Sequence, residues 1–146
     1  MQTTILIAGS RNLPETAANL QRLEAALDEM HCILATQHEN WIYPNHILHG
    51  GAKGADQLAK QLATKLGARE TEIHPDYKSH HPKLAPLKRN DEMIKMADAV
   101  IVIYAPNQAQ KGGSAYVAQQ TIAAGKHLLE VLPDGTTHHT APNRLF

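Results

Sequence analysis

Cysteine is nearly absent from this chain. Cys32 stands alone, so no internal disulfide framework can hold the fold and no cysteine cluster can bind a metal. Net charge is absent too. Lysine plus arginine and aspartate plus glutamate number 14 each, which removes any long-range attraction to nucleic acid or an anionic membrane and makes an anion site a local matter. One Trp, four Tyr and one Phe are the only aromatic residues, too few to line a track for stacked bases. No apolar run approaches the roughly 20 residues that cross a bilayer. Met1 to Ser10 shows neither the charged start nor the long apolar centre of a secretory signal, so a cytoplasmic location without a membrane partner is expected.

What the sequence does contain is an alternation. A chain of 146 residues suits one core. "TILIA" at Thr4 to Ala8 is a short β-branched run that stops at Gly9-Ser10-Arg11, the pattern of a buried strand and its turn. Pro14 and Glu15 suit a first helical turn, and Leu20, Leu23, Leu27 and Met30 give that helix an apolar stripe. His31 to Pro44 has no clean period and reads as a connection with local order. "NHILH" is a second strand, followed by the glycines of Gly50 to Gly54 and a helix with one apolar face that stops at Gly67. "ARETEIH" is a short polar strand, and the proline-rich stretch from Pro75 leads to a helix from Leu87 to Met96. "ADAVIVIYA" is apolar enough to be central in a sheet covered on both faces. A third glycine turn, a helix ending at Gly125 and the strand "HLLEVL" complete the order. Strands alternating with helices predict an α/β fold with a mostly parallel sheet of about five strands over residues 1–132. Residues 133–146 read as a polar tail, loose or docked on a partner.

Parallel sheets bind ligands beyond the carboxyl ends of their strands. Three junctions there are rich in glycine and polar groups: Gly9-Ser10-Arg11, Gly50-Gly51-Ala52-Lys53-Gly54-Ala55-Asp56 and Lys111-Gly112-Gly113-Ser114. Glycines let backbone N–H groups approach an anion, and the helix that follows adds unpaired amides and a favourable dipole. Each junction can equally be a turn that needs positive φ. Neither standard phosphate motif occurs, since Lys53 precedes Gly54 instead of following it and no G-x-G-x-x-G is present. Arg89 and Asn90, beside a proline-led helix start, add a fork suited to phosphate, and Arg11 is a second such group or a solvated charge. Asp56 either caps the helix or meets a ribose hydroxyl.

Ten histidines raise the question of a metal. The pairs His80-His81 and His138-His139 face opposite ways on a strand, and His46 with His49 shows no companion Cys or Asp cluster, so no protein metal site is expected. Mg²⁺ arriving with a phosphorylated ligand is the cation the sequence admits. Cys32 has no basic partner that would make it a nucleophile.

"ILIAGSR", "HGGAKGADQLA", "LKRNDEMIKMADAVIVI" and "KGGSAYVAQQTIAAGK" together resemble the YspA-like branch of the SLOG superfamily, which is related to the lonely-guy phosphoribohydrolases and the Smf DNA-processing proteins. The resemblance runs from about Ile5 to Val131. It implies a Rossmann-like three-layer fold, a homo-oligomer, and a pocket for a phosphorylated nucleotide or derivative of the AMP, ADP-ribose or NAD kind. Gly9, Ser10 and Arg11 would form one wall, and Gly50, Gly51, Lys53, Gly54 and Asp56 another. Arg89 and Asn90 would form a third, and Lys111, Gly112, Gly113 and Ser114 the phosphate turn. The related enzymes place a glutamate two to three residues into the last helix, where Ala115 to Ala118 stand here. N-glycosidic hydrolysis or transfer is therefore an alternative without its principal residue, for which Asp56, Asp91 or Glu92 would have to substitute. A module for single-stranded nucleic acid or assembly is a further alternative, and nucleic acid is not the expected partner.

Overall fold

A computed structural model describes residues 2–37, 40–106 and 112–142. Five parallel strands, β1 (Thr4–Gly9), β2 (His46–His49), β3 (Arg69–Glu72), β4 (Ala99–Ile103) and β5 (His127–Val131), are joined by an antiparallel β6 (Thr137–Thr140). Their order is β3-β2-β1-β4-β5-β6. Helices α1 (Ala17–Gln37) and α2 (Ala55–Leu66) cover one face, and α3 (Ala85–Met96) and α4 (Gly112–Ala123) the other. This is a Rossmann-like three-layer α/β fold.

The two central strands show why. Successive side chains on a strand point to opposite faces. Ile5 and Ile7 of β1, with Ala99, Ile101 and Ile103 of β4, join the core under α1 and α2. Leu6 and Ala8, with Val100, Val102 and Tyr104, join the core under α3 and α4. A continuous apolar run is what a strand buried on both faces requires.

Two segments depart from the expected pattern. Helix α1 runs through His31 to Gln37, because Leu34 continues the stripe of Leu27 and Met30 into the core. The segment read as a loose tail supplies β6. Pro133-Asp134-Gly135 closes a hairpin in which Leu132 N–H donates to Thr136 O, and Asp134 Oδ1 accepts from both Thr136 N–H and its hydroxyl. The β-branched threonines then pair along β5, and the Thr137 hydroxyl donates to Glu29 of α1. Among the described residues no helix is long and apolar enough to cross a membrane.

Candidate functional site

Neighbouring strands β1 and β4 send their connections to opposite faces of the sheet, which leaves a crevice between them at their carboxyl ends. A cleft of about 320 Å³ lies there. Gly9, Ser10 and Arg11 after β1, Gly50 after β2, Asp56 of α2, Arg89 and Asn90 of α3, and Gly113 and Ser114 of α4 all line it. The three junctions named from sequence therefore reach one place. Gly51, Lys53 and Gly54 do not line the cleft, and Gly112 opens α4 beside it. Lys111 lies outside the described residues.

The Gly50–Asp56 loop is folded on itself. Gly51 N–H donates to His49 Nδ1 at 3.0 Å, Ala52 N–H to Asp56 Oδ2 at 3.0 Å, Gly54 N–H to Glu15 Oε2 at 3.2 Å and Ala55 N–H to Ser10 O at 3.1 Å. Gly50 N–H also bonds Asp56. Gly54 has φ 73°, and a β-carbon there would overlap the backbone of Ser10 and Arg11, so only glycine lets α2 start this close to the β1 loop. The loop turns a corner with these amides engaged. Asp56 is the brace of that turn; Gly54 is the N-cap position and takes no side-chain cap. Burial lifts the Asp56 carboxyl above its ordinary range, against the opposing pull of the Ala52 amide and of His49 and Arg89.

Arg89 is half-buried. Its Nη1 donates to Gly50 O at 3.1 Å and to Ile73 O at 3.3 Å, and its Nε to Asn90 Oδ1 at 2.8 Å. A β-carbon at Gly50 would lie 2.6 Å from Nη1, so glycine is what admits the guanidinium against this loop. Arg89 ties the exits of β2 and β3 to α3 and stands in the cleft wall at the same time. Burial lowers its pKa; Asp56 counters that, and the like charge of Arg11 adds to it. Arg11 is exposed and in no ion pair among the described residues.

The start of α4 is different in kind. The amides of Gly113 and Ser114 have no partner among the described residues, and a β-carbon at Gly113 would meet open space. Ser114 is buried and lines the cleft. An open helix start beside two guanidiniums makes this end of the cleft electropositive.

Asn12, Ala52, Pro86, Leu87, Met93 and Val117 also line the cleft and were not singled out from sequence as ligand contacts. Met93 is at once core and wall. Val117 presents an apolar wall where the resembled enzymes carry glutamate. Asp91 accepts the Tyr116 hydroxyl at 2.9 Å and, like Glu92, does not line the cleft, so Asp56 is the one carboxylate lining it among the described residues. His49, read with His46 as lacking a companion Cys or Asp cluster, has two glutamates beside it. Glu70 and Glu72 of β3 come to its ring, because β3 pairs with β2 in a register that sets His49 opposite Glu72.

No protein-family model and no curated protein sequence matches this chain. Solved structures do. The X-ray structure of the protein TM1055 superposes with a TM-score of 0.54 at 20% identity, over 87% of this chain and 72% of that one. DNA processing protein A from Helicobacter pylori, described for its single-stranded DNA binding mode, superposes with a TM-score of 0.59 at 21% identity. That match takes in 98% of this chain and 66% of the Helicobacter pylori chain, just under two thirds. With its glycine junctions gathered at the carboxyl ends of β1, β2 and β4, the chain shares the Rossmann-like three-layer α/β fold of these two structures.

Proposed function

We propose that this protein binds a phosphorylated nucleotide or nucleotide derivative in the cleft between β1 and β4. The observation that carries the reading is the start of α4, where the Gly113 and Ser114 amides have no partner among the described residues, in the same cleft as Arg11 and Arg89. A phosphate at Gly113 and Ser114 would receive two amide hydrogen bonds and the helix dipole, with a guanidinium on the side of β1 and another on α3. Asn90 and Asp56 then supply the polar groups that read a ribose or base, and Met93 and Val117 the apolar wall. In this reading the anchoring phosphate sits at α4, since the Gly50, Gly51, Ala52, Gly54 and Ala55 amides of the α2 loop are engaged within the protein.

The superposition on a protein described by its single-stranded DNA binding favours a second reading, in which the cleft takes one nucleotide of a strand. Exposed Lys78, Lys83 and Lys88 precede and follow the start of α3 and could meet further phosphates.

One experiment separates the readings. Calorimetry and thermal unfolding with AMP, ADP-ribose and NAD are run beside binding of a labelled DNA strand at several salt concentrations. A mononucleotide ligand at a hundred times its dissociation constant stabilises the fold by about 2.7 kcal/mol. Arg11→Ala, an exposed change, lowers that affinity about tenfold and leaves the unliganded stability unchanged. Binding of the strand alone, with affinity falling steeply as salt rises, selects the second reading. No heat, no shift and no strand binding would end both.

A further inference from the structure

We infer that the chain carries a divalent transition-metal site of the zinc type, formed by His49, Glu72 and His74 and oriented by Glu70. The inference stands apart from the proposed ligand cleft.

Strand periodicity and register build the group. Glu70, Glu72 and His74 are spaced two apart, so they leave β3 and its continuation on one side, and pairing sets His49 of β2 opposite Glu72. One ligating atom from each of His49, Glu70 and Glu72 lies within 4.8 Å of the others. His74 Nε2 reaches Glu72 Oε2 at 2.7 Å from outside the group that His49, Glu70 and Glu72 form, and its exposed ring has to swing toward His49 to add a second imidazole. His49 is fully buried, whereas the side chains of Glu70, Glu72 and His74 are 28%, 31% and 72% exposed. The group is rooted inside the sheet and open to solvent on its outer side, so an ion can enter.

Hydrogen bonding assigns the roles. His49 Nε2 lies 2.7 Å from Glu70 Oε1 and its Nδ1 accepts Gly51 N–H, which places the ring proton on Nε2 and the lone pair on Nδ1. A ligating imidazole backed by a carboxylate on its other nitrogen is the usual construction of a metal-binding histidine. Nδ1 is 4.0 Å from Glu72 Oε1. Two ligands of a tetrahedral zinc ion with bonds of about 2.0–2.1 Å stand about 3.3 Å apart, so Glu72 needs to move by less than its own rotamer freedom allows. The ion displaces the Gly51 amide from Nδ1; Gly51 is only partly buried, and water can take that N–H. Two imidazoles and one carboxylate are a set that holds zinc with a fourth position left to water. The Arg89 bond to Ile73 O fixes the backbone between Glu72 and His74.

The test uses the full chain, freed of metal with a chelator and titrated with Zn²⁺ by equilibrium dialysis and with Co²⁺ by visible absorption. Uptake of one ion per chain, with the intense visible bands of a four-coordinate cobalt site, is expected. Glu72→Gln and His74→Asn, both at solvent-reached side chains that leave the fold intact by circular dichroism, each lower the affinity at least tenfold. Glu70→Gln lowers it 10- to 100-fold as the orienting partner. A His80→Asn, His81→Asn double variant binds as the wild type does. No uptake, or uptake that Glu72→Gln leaves unchanged, overturns the site, and wild-type affinity in His74→Asn overturns this ligand set.

Discussion

The glycine turns before α2 and α4 lie at the same edge of the sheet and look alike in sequence, yet the loop before α2 is folded on itself, whereas the start of α4 holds amides without a partner among the described residues. At α2 the amides of Gly50, Gly51, Ala52, Gly54 and Ala55 meet His49, Asp56, Glu15 and Ser10, and Gly54 is wedged against the β1 loop. At α4 the amides of Gly113 and Ser114 have no partner among the described residues, and nothing stands within 4 Å of a would-be β-carbon on Gly113. The glycine-richer junction is the one with five of its loop amides engaged within the protein. A run of glycines therefore reports how closely backbone segments approach, and only the fate of each N–H tells whether a ligand is needed to satisfy it.

The largest expected effect comes from exchanging the two environments by mutation. Gly54→Ala forces a β-carbon into a positive-φ conformation and into the Ser10 carbonyl, and it should destabilise the chain by about 3 kcal/mol or more. Gly113→Ala places its methyl in open space at helical φ and should change stability by less than about 1 kcal/mol. Urea unfolding of both variants measures the contrast. Equal losses would mean that α4 is packed at its start as tightly as α2, and the comparison would fail.

A helix end closed by a side chain gives the next effect in size. Lys126 Nζ donates to Ile94 O, Lys95 O and Ala97 O at 2.6, 2.9 and 2.7 Å, so the last turn of α3 is held by one ammonium on the edge of β5. Lys126→Met keeps the apolar stem and removes the charge. It should cost about 1–2 kcal/mol, since the freed carbonyls are partly reached by water. Because Arg89 and Asn90 lie in the first half of α3, ligand affinity should change little, whereas a parallel loss of affinity would show that α3 moves as a unit.

Much of the fold was legible because burial writes itself into composition. β1 from Ile5 to Ala8 and all of β4 are apolar, and the structure covers both their faces. The last two turns of α1 were hidden by Cys32, Thr36 and Gln37, polar or small residues exposed on its outer side, although Leu34 kept the stripe. β6 was hidden because Thr137 to Thr140 is exposed and half-exposed on an edge; Asp134-Gly135 was its one local sign. At the cleft, topology was enough to gather Gly9, Gly50 and Gly113, and the proline-led start of the third helix was the sign for Arg89. The closure of the α2 loop was not readable. It depends on Glu15, 39 residues before Gly54, and on the ring orientation of His49, neither of which has a local pattern. The same holds for Glu70 and Glu72 beside His49, which only the β2–β3 register brings together.

The smallest effect is a slope, and it tests whether the closed junction is closed by a neutral or a charged brace. Burial raises the Asp56 carboxyl above its ordinary value of 3.8, outweighing the amides of Ala52 and Gly50 and the charges of His49 and Arg89. The folded chain therefore holds this proton at pH values where the unfolded chain has released it. Its contribution to stability is complete below about 3.8 and is lost as pH rises through the raised value. Asp56→Asn removes the titration. The difference in unfolding free energy, wild type minus variant, should fall with rising pH across that window and then level off. A difference that rises with pH would mean that Arg89 holds Asp56 charged. The two would then be an ion pair inside the cleft, Arg89 would be neutralised before any phosphate arrives, and the electropositive field at the open start of α4 would rest on Arg11 alone.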